Sequence, residues 1–171
     1  MSSTIQVLLR ENVEVLRQGL VLLDKLDDDQ FRTGLPALGL AGPGPHFRHV
    51  IDFYRRLLEG LEADAASPCV DYDRRERDPR IETERRACYA AIVDLQARLE
   101  TIERVDRAIE VRCDQLPGTP STLGRELQAL VSHTVHHYAL IAIAARGLGV
   151  DPGREFGVAP STLAYWRECV S

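Results

Sequence analysis

Five histidines carry the clearest chemical signal in this chain, and they fall into two clusters: His46 and His49, then His133, His136 and His137. The four-residue step from His133 to His137 puts both rings on one side of a helix, one turn apart. Neutral imidazole is a good ligand for zinc, nickel, iron or copper. A ring pair on one helix with a third ring from a facing helix is a way that helical bundles build metal sites in their cores. Three protein ligands would leave one coordination position open, the pattern of catalytic sites rather than closed structural ones. Against this stands a plainer reading, because a single histidine on an apolar stripe is more often a satisfied core or boundary residue.

The helices that would carry these rings can be traced by periodicity. One apolar series reads Leu127, Leu130, His133, His137, Leu140, Ile141 and Ala144, and another reads His49, Val50, Phe53, Leu57 and Leu61. In both, an imidazole stands where the helical repeat calls for leucine, which predicts buried rings. Three buried imidazoles facing one another are hard to satisfy with protein partners alone, and a divalent metal resolves the difficulty. Periodicity does not choose the triad, however. His136 lies only about 60° around the helix from His133, and His46 about 60° from His49.

Stepping outward, four segments have helical periodicity: about 4–26, 45–65, 80–102 and 119–146. The acidic stretch Asp27-Asp28-Asp29 and the loop 34–45, with four glycines and three prolines, are expected to end the first. A polar connection over 67–79 reads as a solvated loop. Ala108 to Cys113 alternates as a short extended piece, and Thr119-Pro120-Ser121-Thr122 offers a capping hydroxyl and first-turn proline for the fourth helix. Ala159-Pro160-Ser161-Thr162-Leu163 opens a short C-terminal helix. No repeat or linker divides the chain. The expected fold is all-α, a four-helix bundle in one domain over residues 1–171.

Composition narrows the function classes. Of 171 residues, 44% are hydrophobic and 27% charged, the balance of a folded globular chain. The 21 Lys plus Arg against 26 Asp plus Glu leave a net charge of −5, which gives no counterion-release advantage on nucleic acid. No apolar run approaches the roughly 20 residues that span a bilayer. Residues 1–10 lack the pattern of an export signal, and Cys69, Cys88, Cys113 and Cys169 are scattered without a CxxC pair. Both point to reduced thiols and a cytoplasmic protein.

The histidine segments also resemble a known family. His-Phe-Arg-His at 46–49, followed by Val-Ile-Asp-Phe-Tyr, is similar to the second-helix motif of the DinB/YfiT-like superfamily. Ser-His-Thr-Val-His-His-Tyr at 132–138 resembles its fourth-helix motif, and the order of elements agrees. Carried over residue by residue, the resemblance implies His49, His133 and His137 as metal ligands, with His46 and His136 as neighbours. It also implies a homodimeric bundle holding a divalent ion, zinc or nickel, and a small-molecule substrate. Members that use low-molecular-weight thiols suggest S-transfer, with hydrolysis as the other metal-dependent chemistry. A non-catalytic metal- or ligand-binding role is the alternative. The chain departs from a common pattern after the pair, where Tyr138, Ala139 and Leu140 replace Arg-Gly-Gln. Asp52, three residues after His49, is the candidate to orient a ligand ring or act as a base. Tyr54, Tyr138 and Arg125 are candidate pocket residues.

Overall fold

The computed structural model describes residues 4–63, 68–74, 76–103, 105–113 and 116–169. Four long helices, α1 (Thr4–Lys25), α3 (Pro43–Ala63), α5 (Arg85–Glu100) and α6 (Leu123–Gly147), carry most of the chain. Three short ones accompany them: α2 (Asp28–Arg32), α4 (Pro79–Thr83) and α7 (Pro160–Glu168). Both α1 and α3 pack against α5 and α6, so the four long helices enclose a common core. None of the described helices is long and apolar enough to cross a membrane.

Each long helix buries one stripe because its apolar residues recur at three and four positions. On α1 the stripe includes Ile5, Leu9, Val15, Leu16, Leu20 and Leu23, as the periodicity implies. One polar residue interrupts it. Asn12 is fully buried, donates from Nδ2 to the carbonyls of Leu8 (2.8 Å) and Leu127 (3.1 Å), and accepts from the Tyr54 hydroxyl (2.7 Å). A buried amide is tolerable when its donors and acceptor are satisfied. Here that satisfaction ties α1, α3 and α6 together at one level.

Two glycines allow close approaches that set the helix positions. A Cβ at Gly19 would strike the Tyr138 hydroxyl, and one at Gly44 would strike the carbonyl of Glu82. The first lets α6 lie close to α1. The second seats the start of α3 on α4, beside the first histidine cluster.

The all-α expectation requires correction, since the chain also forms a three-stranded sheet in the order β1-β2-β3. Strand β2 (Ala108–Cys113) matches the extended piece read from alternation, but its partners were not foreseen. Strand β1 (Cys69–Asp71) pairs with it in parallel and lies in the segment read as a solvated loop, with Val70 fully buried. Strand β3 (Leu116–Thr122) pairs antiparallel and occupies what was read as the first turn of the fourth helix. Its Pro117 and Pro120 are acceptable because β3 is an edge strand. The helix begins at Leu123, four residues after the expected start at 119, with Thr122 as the cap: its hydroxyl accepts from Arg125 N at 3.3 Å.

Two other boundaries differ. The acidic stretch does not simply end α1, because Asp27 caps α2 through a reciprocal bond pair with Gln30 (2.7 and 3.0 Å). The expected third helix is split at Glu84, whose extended backbone (φ −117°, ψ 103°) separates α4 from α5. The second helix starts at Pro43, two residues earlier than expected, and its expected last residues, 64 and 65, lie outside the described residues.

Candidate metal centre

The facing sides of α3 and α6 bring the two histidine clusters together. His49, His133 and His137 each offer one ring nitrogen, and these nitrogens all lie within 4.8 Å of one another. Ring centroids are 5.0 Å apart for His49 and His133, 4.5 Å for His49 and His137, and 4.6 Å for His133 and His137. The combination that periodicity left open is therefore the one formed.

The rings are half-buried rather than buried, which corrects the stripe assignment. The true core face of α6 runs through Leu127, Leu130, Thr134, Tyr138, Ile141 and Ala145. On α3 it runs through Phe47, Val50, Ile51, Tyr54, Leu57, Leu58 and Leu61. The histidines occupy the flank of each stripe, where α3 and α6 meet near the surface. A flank position gives access for a small molecule, which a ring in the centre of the core would not have.

Burial and neighbouring rings push the His137 imidazole down to about 4, first by desolvation, then by repulsion from His133, His46 and His136. His46 is lowered as well, by desolvation and then by His136. His137 is thus a neutral base at pH 7, the form that binds a cation.

Two nitrogen-to-nitrogen approaches distinguish the members of the cluster. His49 Nε2 lies 3.1 Å from His133 Nε2, inside the triad. His46 Nδ1 lies 3.2 Å from His137 Nδ1, although His46 is not among the three converging rings. Ligands about 2.0–2.1 Å from a tetrahedral ion sit about 3.3 Å from each other, so the first approach fits two donors sharing one cation. His136 is exposed and meets the edge of His137, 5.2 Å between centroids.

Aromatic rings wall the site. Phe53 stacks on His133 at 4.2 Å and 26°, and on Tyr72 at 5.1 Å and 16°. The Tyr72 hydroxyl donates to Glu126 Oε2 (2.8 Å), while Ser121 donates to Glu126 Oε1 (2.6 Å). Glu126 is a buried carboxylate on α6, so this chain of contacts joins the segment after β1, strand β3 and both histidine-bearing helices. Burial, then the Glu126 charge, raises the Tyr72 phenol, which stays protonated as the donor. Tyr72 and Glu126 escaped sequence reasoning because Tyr72 lies in a stretch whose composition is that of a loop. Alternation of buried Val70 with its neighbours was the available signal, and it is only three residues long.

The remaining candidates are placed as follows. Asp52 is 4% exposed and accepts from Arg48 Nη1 at 2.9 Å, while Arg48 Nε reaches Glu82 on α4 at 2.6 Å. Tyr54 and Tyr138 are fully buried core residues and not pocket lining. Tyr138 packs flat on Phe156 of the tail (4.7 Å, 10°), and edge-on to Phe47. Arg125 is exposed in the first turn of α6. Among the described cysteines Cys69, Cys88 and Cys169 are free thiols, and burial raises that of Cys88 far above its ordinary range.

Comparison with known proteins bears on the same segment. The model of the DinB superfamily matches residues 13–141, a stretch that includes all five histidines. Over 107 residues the chain is 30% identical to FK506-binding protein 5 of Rhizopus delemar. That match covers 58% of this chain but only 28% of the fungal protein, so the chain spans little more than a quarter of that relative's length.

Proposed function

The chain belongs to the DinB superfamily, and from that premise we propose that it is a metal-dependent enzyme acting on a small molecule at an ion held by His49, His133 and His137. One observation carries this reading: three half-buried imidazoles from two helices converge with their nitrogens within 4.8 Å. The donor set fits zinc or nickel, since neutral imidazole suits borderline divalent ions. Bound there, such an ion supplies Lewis acidity that makes a water or a thiol a better nucleophile at neutral pH.

The chain's own residues define what surrounds that chemistry. Phe53 and Tyr72 form an apolar wall beside His133, which limits water on that side and suits a substrate with an apolar portion. Three protein ligands leave room for a small co-substrate, and a low-molecular-weight thiol matches the preference of zinc for soft sulfur. Thiol S-transfer is the leading reaction class, with hydrolysis second. Asp52 takes part through Arg48: the ion pair clamps the first turns of α3 to Glu82 and holds the His46–His49 segment in place.

The test is metal analysis of protein purified without an affinity tag, alongside His133→Ala and His137→Ala. About one equivalent of divalent metal in the parent, lost in both variants, is expected. A metal-free parent that takes up neither zinc nor nickel would end the proposal. Turnover of electrophiles with small thiols, compared with His133→Ala, separates catalysis from binding alone.

A further inference from the structure

We infer that His46 is a positioning residue for the metal site, accepting a hydrogen bond from His137 Nδ1–H and so presenting His137 Nε2 to the ion. This rests on the proposed metal reading and assigns a part to a residue outside the triad.

The argument starts from the two nitrogen contacts. His49 and His133 approach through Nε2 atoms within the triad. His46 instead meets Nδ1 of His137 at 3.2 Å and is not one of the three converging ligands. Two neutral imidazole nitrogens at that distance bond only when one carries the proton and the other the lone pair. If His46 donated, the proton of His137 would sit on Nε2 and that nitrogen could not bind a cation. If His137 donates, its Nε2 lone pair is released for the metal. A ligating histidine usually gives its second N–H to an acceptor, which fixes both tautomer and ring angle. No acceptor other than His46 Nδ1 is described at His137 Nδ1.

With Nδ1 accepting, the proton of neutral His46 sits on Nε2, which is buried and has no hydrogen-bond partner among the described residues. This tautomer leaves one buried donor unserved, a cost that ligation of a cation by His137 Nε2 has to offset. The placement is enforced from below: Gly44 lets the first turn of α3 rest on α4, and Phe47, next to His46, is fully buried against Phe31 and Tyr138. His46 is carried to His137 by a turn that cannot easily shift.

The experiment compares His46→Leu, which removes the acceptor at similar volume, with His46→Asn, whose amide oxygen can take the place of Nδ1. Cobalt(II) or zinc affinity is read by competition with a chromophoric chelator, and the metal-free melting temperature is read in parallel. His46→Leu should bind about 10- to 100-fold more weakly, with His46→Asn recovering most of the loss. Equal weakening in both variants, or His46→Leu within twofold of the parent, overturns the inference while leaving the triad intact. Failure of the parent itself to bind metal overturns the triad and this inference together. Should His46→Leu not fold, proton–nitrogen correlation spectra of the metal-loaded parent decide instead. They should show His137 protonated at Nδ1, and metal on Nδ1 would refute the assignment.

Discussion

His49 Nε2 and His133 Nε2 face each other at 3.1 Å across the gap between α3 and α6. In metal-free protein this contact is a hydrogen bond, with one ring donating N–H to the lone pair of the other. With an ion present, both lone pairs have a common partner. The metal-bound state should therefore be more stable, and stability should depend on metal concentration. At 100 times the dissociation constant the gain is about 2.7 kcal/mol, which corresponds to several degrees in a domain of this size. Thermal melts with added zinc and then excess chelator should rise and return. His133→Ala should show no rise, and an unchanged parent would count against the site.

The metal-free protein should also lose stability on acidification. His137 is lowered to about 4 in the folded chain from an ordinary 6.5. Between those values the unfolded chain binds a proton that the folded chain does not, so stability rises with pH across that window. Its contribution is present above pH 6.5 and is lost as pH falls through 4. Melting temperatures of chelator-treated protein from pH 7 to 4 should decline, and the decline should be shallower in His137→Asn. An equal slope in parent and variant would contradict the assigned cause.

Gly19 and Tyr138 should behave as a coupled pair. Gly19→Ala normally gains about 1 kcal/mol of helix propensity. Here the new methyl meets the Tyr138 hydroxyl, and overpacking costs about 1–3 kcal/mol. Tyr138→Phe removes a buried hydroxyl that has no hydrogen-bond partner among the described residues, so it should be neutral or slightly stabilising. In a double-mutant cycle by urea unfolding, Tyr138→Phe should recover part of the Gly19→Ala loss. Strict additivity would show that the two sites do not touch.

Asp52 and Arg48 distinguish a structural carboxylate from a reacting one. Arg48→Met takes the guanidinium from a carboxylate that is 4% exposed, and breaking such a pair costs about 3 kcal/mol or more. Asp52→Asn should lower the melting temperature and leave metal content unchanged. Full stability with loss of turnover would instead place Asp52 in the chemistry.

The aromatic wall makes a final prediction. Glu126→Gln and Tyr72→Phe each weaken the link from α6 to the segment after β1. A lost hydrogen bond to a charged group is worth about 1.5–3 kcal/mol. Both variants should keep metal stoichiometry and show altered binding of apolar substrates, read as a change in KM larger than that in kcat. A change confined to kcat would mean that the wall takes part in the reaction itself.

Read alone, the residues were enough to locate the long helices and to select two histidine clusters on facing helices. Helical periodicity is a local property, repeated several times over twenty residues, so α1, α3 and α6 emerge within a few residues of their observed ends. Spacing along a helix left five rings in play, and it was the resemblance of 46–49 and 132–138 to a family's motifs that implied His49, His133 and His137. Local spacing could not decide how deep that face lies. His49, His133 and His137 sit on the flank of the buried stripe, and the burial of Tyr54 and Tyr138 in their stead depends on the angle at which α3 meets α6 and on Asn12 bridging three helices. The sheet was beyond local reading for the same reason. Strands β1 and β3 are too short or too rich in proline to signal themselves, and they exist because β2 supplies hydrogen-bond partners from far along the chain. The contact between His46 and His137 spans 91 positions. Only packing of α3 on α6 brings those rings within hydrogen-bond distance, and that packing gives His46 a place in the site.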